Sequence, residues 1–220
     1  MNPETSTKQY YEAYWSEAVP APTRDPWRPI RWKLVRDHLD RAALAGNRLL
    51  DCGAGEGSLL AEAQRWGLEA VGLEISDRAV ERARSLHGGC RIIAHSVERR
   101  PWPVPSGTFD VVVALEVIEH LLLPRELVAG AYEALRPGGY LALTTPYHGV
   151  LKNLALAAKG FDRHFAAEGP HVRFFSDPAL RLSSFLCPQA KTGPRQLGRM
   201  DRRGSLVCRR LRQIARRPNR

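Results

Sequence analysis

Five apolar runs, rich in β-branched residues, predict the strands of a single sheet. Each run is followed by a helical or loop pattern, which is the alternation expected of βαβ units. The run Val111–Leu115 is continuously apolar, so both faces of its strand are expected to be buried. The sequence therefore predicts an α/β fold with a doubly wound, mainly parallel sheet and helices on both sides. The predicted strands are Arg48–Cys52, Glu69–Leu73, Arg91–Ala94, Asp110–Leu115 and Tyr140–Thr144.

Segments with helical patterns lie between these runs and at both ends of the chain. Ser76 is a suitable N-cap for one of them, and Pro124 precedes another. The turn Arg136–Gly139 is expected to end that second helix and to lead into the last strand. The predicted helices are Gln9–Glu17, Arg31–Leu44, Ser58–Trp66, Asp77–Leu86, Arg125–Leu135 and Pro178–Leu186.

The order of these segments divides the chain into three parts. Residues 1–46 hold two helical segments around the Pro-rich stretch Val19–Pro29 and are predicted to form a lid. Residues 47–188 hold the α/β core. Residues 189–220 form a basic extension in which only Ser205–Cys208 has weak strand character, so an atypical C-terminal end is expected.

The net charge of +10 lies in this extension. Residues 189–220 contain eleven Lys or Arg and one acid, so the rest of the chain is neutral overall. A neutral core gives no charge-based case for a nucleic-acid face. The extension is interpreted as a solvated tail, or as a contact for RNA or for an anionic membrane surface.

Composition also narrows the class of protein. No run approaches the roughly 18 consecutive apolar residues of a membrane span, and Met1–Tyr10 lacks the basic start and apolar run of a signal peptide. A cytoplasmic location is therefore expected. The four cysteines are far apart and form no CxxC pair, which argues against a zinc site or a disulfide framework.

A glycine-rich loop follows the first strand and leads into a helix. Its residues, Gly53-Ala54-Gly55-Glu56-Gly57, come directly after Asp51-Cys52. Glycine permits positive φ and lets the backbone approach a ligand closely. The loop alone is also consistent with a tight strand–helix turn.

The second strand ends in an acid, Glu74. A carboxylate at this place accepts hydrogen bonds from both hydroxyls of a ribose, and NAD-binding proteins use the same arrangement. Two features favour S-adenosylmethionine over NAD. The loop has the spacing Gly-x-Gly-x-Gly, with Ser58 where a dinucleotide loop has its third glycine. Asp51 would repel a pyrophosphate but attract a cationic amino-acid group.

These residues resemble the class I S-adenosylmethionine-dependent methyltransferase superfamily over the span Tyr11–Leu186. Asp51, Gly53 and Gly55 match its first motif and Glu74 its ribose acid, while Phe109-Asp110 and Arg136–Gly139 match its fourth strand and a later turn. The resemblance implies a Rossmann-like fold. In the loop after the third strand the family often has an Asp that contacts the adenine amino group, and here Ser96 stands in its place. The predicted cofactor-binding residues are Asp51, Gly53, Ala54, Gly55, Gly57, Glu74, Ile75, Ser96, Val97 and Glu116.

Two acids and a histidine, Glu116, Glu119 and His120, follow the fourth strand. They lie at the carboxyl edge, where an open α/β sheet binds its ligands. In one interpretation Glu116 supports the cofactor pocket and the other two are ordinary polar residues entering a helix. In the other, the three bind Mg²⁺, Mn²⁺ or a similar cation, or supply a base.

This segment resembles that of the ubiquinone-biosynthesis O-methyltransferases, as do Thr145–His148 and Gly169–Ser176. The resemblance implies methylation of a phenolic oxygen on a small-molecule or lipid-like acceptor. A similar Glu-Val-Ile-Glu-His run occurs in the small-RNA 2′-O-methyltransferases, where the acids and histidines hold a metal, so RNA is an alternative acceptor. The neutral core and the lack of a nucleotide-stacking platform between Glu116 and His171 argue against RNA.

The stretch after the fifth strand is expected to border the acceptor. His148, His164 and His171 each qualify as a base or a last metal ligand. The apolar segment Gly149–Gly160 is interpreted as a cap helix, a guide for a lipid tail or a membrane contact. The predicted catalytic residues are Glu116, Glu119, His120 and His171. A cofactor-binding protein without catalysis is the remaining alternative, since Ser96 and the C-terminal end are unusual.

Overall fold

The centre of the fold is a sheet of six strands. In the computed structural model, residues 3–16, 29–33, 36, 48–146, 154, 158, 172–173, 190–191, 207–209 and 212–213 are described. The strands are β1 (Arg48–Cys52), β2 (Glu69–Glu74), β3 (Arg91–Ala94), β4 (Phe109–Leu115), β5 (Leu135–Thr144), β6 (Ala190–Lys191), β7 (Val207–Arg209) and β8 (Arg212–Gln213). Strands β1 to β5 pair in parallel in the order β3-β2-β1-β4-β5, and β7 pairs antiparallel with β5. Strands β6 and β8 form a separate antiparallel pair.

Four helices surround the sheet in the described residues. They are α1 (Pro3–Ser16), α2 (Ser58–Arg65), α3 (Asp77–Leu86) and α4 (Pro124–Ala134), with a 3₁₀ turn at Ile118–His120. Residues 29–33 are also helical. None of the helices within these ranges is long and apolar enough to cross a membrane.

Both faces of the central strands β1 and β4 are buried, as their continuous apolar runs predict. Side chains alternate along each strand, so Leu49 and Val111 enter the hydrophobic cluster beneath α2 and α3, while Leu50 and Val112 enter the cluster beneath α4. Each of these four side chains is almost completely buried. The predicted doubly wound α/β fold is therefore confirmed.

Most predicted boundaries agree with the structure, and β5 differs. It begins at Leu135, directly after α4, and its pairing with β4 shifts register between Phe109 and Val111. The Arg136–Gly139 stretch thus lies inside an irregular strand instead of forming a separate turn. The weak run at Ser205–Cys208 corresponds to β7, which extends the edge of the sheet. The predicted helix Pro178–Leu186 lies outside the described residues, and the segment Arg31–Leu44 is described only at residues 31–33 and 36.

The packing of α4 on the sheet requires a glycine at position 130. A Cβ on Gly130 would lie 2.4 Å from Trp102 Cε2, well inside van der Waals contact. The buried Trp102 indole has little room to move, because its Nε1–H donates to the Val97 carbonyl at 3.2 Å. Gly130→Ala is expected to lower the free energy of unfolding by about 1–3 kcal/mol, despite the better helix propensity of alanine.

Urea unfolding measures this effect as a lower midpoint at constant m-value. Gly88→Ala is the matched control, since a Cβ there would meet nothing within 4 Å. Equal stability of the two variants would show that Trp102 does not fill the space above Gly130.

Candidate functional site

A cavity of about 550 Å³ opens at the carboxyl ends of the parallel strands. This is the edge at which open α/β sheets bind ligands, and the volume suits a small molecule. Of the predicted site residues, Gly57 and Glu119 do not line the cavity, and His171 lies outside the described part of the chain. Those that line it are Asp51, Gly53, Ala54, Gly55, Glu74, Ile75, Ser96, Val97, Glu116 and His120.

The glycine-rich loop forms one wall of the cavity. Gly53 has φ +77°, and the backbone N–H groups of Gly53 and Ala54 both donate to the Leu73 carbonyl, at 2.8 and 3.0 Å. These bonds tie the loop to the end of β2. A Cβ on Gly53 would lie 2.5 Å from Val117 Cγ2, so a side chain at this position is incompatible with the cavity wall. Gly57 has a local role as the N-cap of α2.

Glu74 at the end of β2 is held in one orientation. Its Oε2 accepts from the Gly55 N–H at 2.8 Å and its Oε1 from the Ser76 N–H at 3.0 Å. Burial raises the pKa of this carboxyl, and the backbone hydrogen bonds oppose that rise. Because a carboxylate oxygen can accept more than one hydrogen bond, both oxygens can still accept from a ligand.

Asp51 adds a second buried carboxyl at the end of β1. Only 4% of this residue is exposed. Burial, followed by the nearby Glu74 charge, raises its pKa to about 7. A carboxyl in this state is protonated about half the time near neutral pH and gains charge when a cation binds beside it.

Glu116 has a strained backbone at the end of β4. It is the one non-glycine residue with positive φ, +57°, among the described residues. The conformation is held by its own N–H, which donates to both the carbonyl and the hydroxyl of Thr144, each at 3.0 Å. Such strain is concentrated at binding and catalytic sites. The Arg31 guanidinium approaches the Glu116 carboxylate, with Nη1 3.9 Å from Oε2.

Glu119 and His120 point in different directions from the 3₁₀ turn. Glu119 is 1% exposed, and its two carboxyl oxygens find no hydrogen-bond partner among the described residues. Burial, and then the Glu116 charge, raises the pKa of Glu119 to about 8. The His120 ring lines the cavity, with its Nε2 3.8 Å from Glu119 Oε1 and its edge against the Tyr11 ring.

The predicted metal group of Glu116, Glu119 and His120 is not supported. No set of three His, Cys, Asp or Glu residues in the described ranges is arranged to hold a metal ion. The physical reason is local, because the 3₁₀ turn buries Glu119 away from the cavity while Arg31 approaches Glu116. The other candidate ligands His148, His164 and His171, and all of Gly149–Gly160 except residues 154 and 158, lie outside the described residues.

Sequence reasoning missed the residues that line the cavity from before β1. Tyr11, Tyr14 and Trp15 of α1 and the buried Arg31 all contribute to its wall. The sequence predicts a helix at Gln9–Glu17 within a lid, but a helical pattern does not reveal which of its side chains reach the cavity. Burial, and then the Glu74 charge, raises the pKa of Tyr11, so its phenol stays protonated and can donate a hydrogen bond.

Comparison with known proteins identifies a family. Residues 27–182 match the family model described as a methyltransferase domain. A ubiquinone biosynthesis O-methyltransferase from Nitrosococcus oceani is 36% identical over 121 residues, which cover 53% of this chain and 50% of that protein. A protein of the same name from Xanthomonas euvesicatoria is 32% identical over 136 residues, covering 60% and 55%. The chain thus spans about half the length of the curated relatives it matches.

A solved structure shares the fold over almost the whole chain. It is the magnesium protoporphyrin IX methyltransferase of Synechocystis with bound SAH, at TM-score 0.68 and 15% identity over 95% of this chain and 99% of that one. At this identity the likeness concerns the fold alone. The family match covers well over half of the sequence, and the chain therefore belongs to the methyltransferase domain family.

Proposed function

We propose that this protein is an S-adenosylmethionine-dependent O-methyltransferase with a small hydroxylated, quinone-like or lipid-like acceptor. The observation that carries the proposal is the fixed Glu74 carboxylate beside the glycine-rich loop, both facing one cavity at the carboxyl edge of the sheet. The names of the curated relatives support the acceptor class.

The lining residues fit the cofactor. Glu74 offers two oriented oxygens to the two hydroxyls of a ribose, and Asp51 offers a carboxyl to the cationic amino-acid end. Gly53 has no room for a side chain beside Val117 and brings its backbone to the cavity wall, and Ser96 and Val97 line the same cavity and are proposed to border the adenine. When bound, the cofactor supplies a methyl group already activated on a sulfonium.

The chain then has to align the acceptor, exclude water and accept one proton. The aromatic residues of α1 line the cavity and provide the apolar wall that excludes water. His120 is the titratable lining group best placed to take the proton of a phenolic hydroxyl, and the buried Glu119 lies next to it. Alignment of the reacting atoms supplies most of the remaining acceleration.

Replacement of His120 tests this assignment. His120→Ala is expected to lower kcat by about 10²–10⁴-fold, the usual contribution of a general base, while the affinity for S-adenosylhomocysteine changes less than about threefold. Methyl transfer to a catechol-type acceptor and calorimetric titration measure the two quantities. His87→Ala, at the end of α3 and outside the cavity lining, is the control.

A chelator in the same assay addresses the divalent cation. Activity that is lost with EDTA and restored by Mg²⁺ would favour the metal-assisted mechanism over the base mechanism. An unchanged kcat in His120→Ala would remove His120 from the mechanism altogether.

RNA methylation is the second candidate, because eleven Lys or Arg lie in residues 189–220. Binding of RNA through this extension should weaken steeply with salt and disappear when the extension is removed. The same charge suits an anionic membrane surface, which a lipid-like acceptor would require. For a lipid-like acceptor, we therefore propose that the protein contacts an anionic membrane surface from the cytoplasmic side.

Calorimetric titration with S-adenosylhomocysteine, with NAD in parallel, tests the cofactor assignment. Saturable one-to-one binding of S-adenosylhomocysteine alone is expected and would justify an acceptor screen. Binding of NAD instead would overturn the proposal. Tight cofactor binding without turnover on any acceptor would favour a non-catalytic relative.

A further inference from the structure

Helix α1 covers the cavity without belonging to the core. Its residues Tyr11, Tyr14 and Trp15 line the cavity, and in neither hydrophobic cluster of the described residues does α1 contribute a side chain. The helix approaches the glycine-rich loop closely, since a Cβ on Gly55 would lie 2.9 Å from Trp15 Cζ2. Polar contacts therefore contribute to its attachment, beside the aromatic contacts of Tyr11 and Trp15.

Glu12 makes three side-chain hydrogen bonds with the N-terminus of α3. Its Oε1 accepts from the Asp77 N–H at 2.7 Å, and its Oε2 accepts from the Arg78 N–H at 3.2 Å and from the Ser76 hydroxyl at 3.1 Å. The first amide groups of a helix have no partner within the helix, and a carboxylate there is also stabilised by the helix dipole.

The cap of α3 is shared between a local and a distant residue. Ser76, the sequence-local N-cap, accepts only from the Ala79 N–H, at 3.2 Å. Glu12, more than sixty positions earlier in the chain, satisfies the two N–H groups that Ser76 leaves open. Docking of α1 thus completes the capping of α3, and undocking would expose both N–H groups.

The same residue links α1 to the proposed ribose site. The Ser76 hydroxyl donates to Glu12 while the Ser76 backbone N–H donates to Glu74 Oε1 at 3.0 Å. Movement of α1 would therefore displace Ser76, whose backbone N–H orients the Glu74 carboxylate. Trp15 also approaches Gly55, whose N–H donates to Glu74 Oε2, so α1 reaches the proposed ribose site at two places.

We propose that Glu12 latches α1 over the cavity by capping α3, and that it is a positioning residue that sets how long the cofactor stays bound. The inference rests on the proposed function for the identity of the ligand. The latch itself is a property of the ligand-free chain. Glu12 does not line the cavity, so its effect on the ligand is exerted through α1 and Ser76.

The experiment compares the wild type with Glu12→Gln in the full chain. The amide keeps the size of the side chain but replaces a charged acceptor by a neutral group with one acceptor oxygen. In hydrogen exchange on the ligand-free protein, the amides of residues 6–16 are expected to exchange about tenfold faster in the variant. In stopped-flow displacement, S-adenosylhomocysteine is expected to dissociate about tenfold faster, with an association rate within about threefold of the wild type.

Lys8→Met is the matched control. Lys8 also joins α1 to α3, through a 2.7 Å ion pair with Asp77, but both side chains are largely exposed. An exposed pair contributes little, so both rates are expected to change less than about twofold. This control separates the effect of Glu12 from that of the exposed Lys8–Asp77 ion pair between the same two helices.

The outcomes separate the latch from the cofactor assignment. If wild-type protein does not bind S-adenosylhomocysteine, the proposed function fails, while hydrogen exchange still decides whether Glu12 holds α1. Faster exchange across α3 alone, with α1 unchanged, would reduce Glu12 to a structural cap and overturn the latch. Faster exchange of α1 with an unchanged dissociation rate would overturn the positioning role.

Discussion

Gly53→Ala is expected to weaken S-adenosylhomocysteine binding at least about 100-fold while the protein remains folded. Two effects add. The residue has φ +77°, where a Cβ costs about 1–2 kcal/mol. The new Cβ would also lie 2.5 Å from Val117 Cγ2, so either the loop or Val117 must move. Val117 follows the strained Glu116, and movement there disturbs two cavity walls together.

Gly67→Ala separates the two effects. Gly67 has φ +80°, close to that of Gly53, but a Cβ on it would meet nothing within 4 Å. It lies in the turn between α2 and β2, outside the cavity lining. Gly67→Ala should lose only the stability that the positive φ costs, Gly53→Ala should lose more because of the contact with Val117, and only Gly53→Ala should lose ligand affinity in calorimetry. A dissociation constant for Gly53→Ala equal to that of Gly67→Ala would mean that this loop does not contact the ligand.

The features that sequence reasoning located well are those fixed by neighbours in the chain. The cap at Ser76 was predicted from its position before a helical pattern, and its hydroxyl does accept from the Ala79 N–H. Gly53 and Glu74 could be predicted to face the cavity because a turn and the end of a strand are both determined by neighbouring residues in the sequence. Parallel pairing then brings the ends of β1 and β2 together without further information.

The features that it missed depend on contacts between distant parts of the chain. Arg31 approaches Glu116, and Glu12 caps α3. In both cases the two partners are far apart in the sequence, and hydrophobic periodicity gives no information about such contacts. The predicted metal group lacks support among the described residues for a related reason. Glu116, Glu119 and His120 are close in sequence, but the directions of their side chains are set by a positive φ and a 3₁₀ turn. Neither can be deduced from residue types.

The two carboxyls that the proposal assigns to the cofactor differ in how the protein holds them. Glu74 accepts two backbone hydrogen bonds, which offset part of the cost of its burial. The pKa of Asp51 is raised to about 7 by burial and then by Glu74 itself. Binding of a cationic group next to Asp51 would relieve the repulsion between the two. The ligand-free protein therefore carries an electrostatic cost at Asp51 that the ligand is expected to remove.

Asp51→Asn is accordingly expected to change stability and binding in opposite directions. The folded pKa of Asp51, about 7, lies above the ordinary value of 3.8. Because the pKa is raised on folding, the protonated carboxyl contributes its full share to the free energy of unfolding below about pH 4. This contribution is lost as the pH rises to about 7. At pH 8 the ligand-free variant should be more stable than the wild type by up to about 4 kcal/mol, and at pH 4 the difference should vanish.

Binding should show the reverse. Wild-type affinity for S-adenosylmethionine should increase as the pH rises to about 7, because the cation requires the charged form of Asp51. In the variant, affinity should be about 100-fold weaker at pH 8 and nearly independent of pH over that range. Urea unfolding and calorimetry at pH 4 to 8 measure the two quantities, where the proteins remain folded.

Glu81→Gln, an exposed acid on α3, is the control, with both quantities expected to stay close to wild type. Glu119, whose pKa is raised to about 8, titrates in both proteins, so the difference between wild type and variant isolates Asp51. A variant that is less stable than the wild type at pH 8 would mean that Asp51 is stabilised as a carboxylate without the ligand. A variant that bound S-adenosylmethionine as tightly as the wild type at pH 8 would mean that the cationic end of the cofactor is bound elsewhere in the cavity.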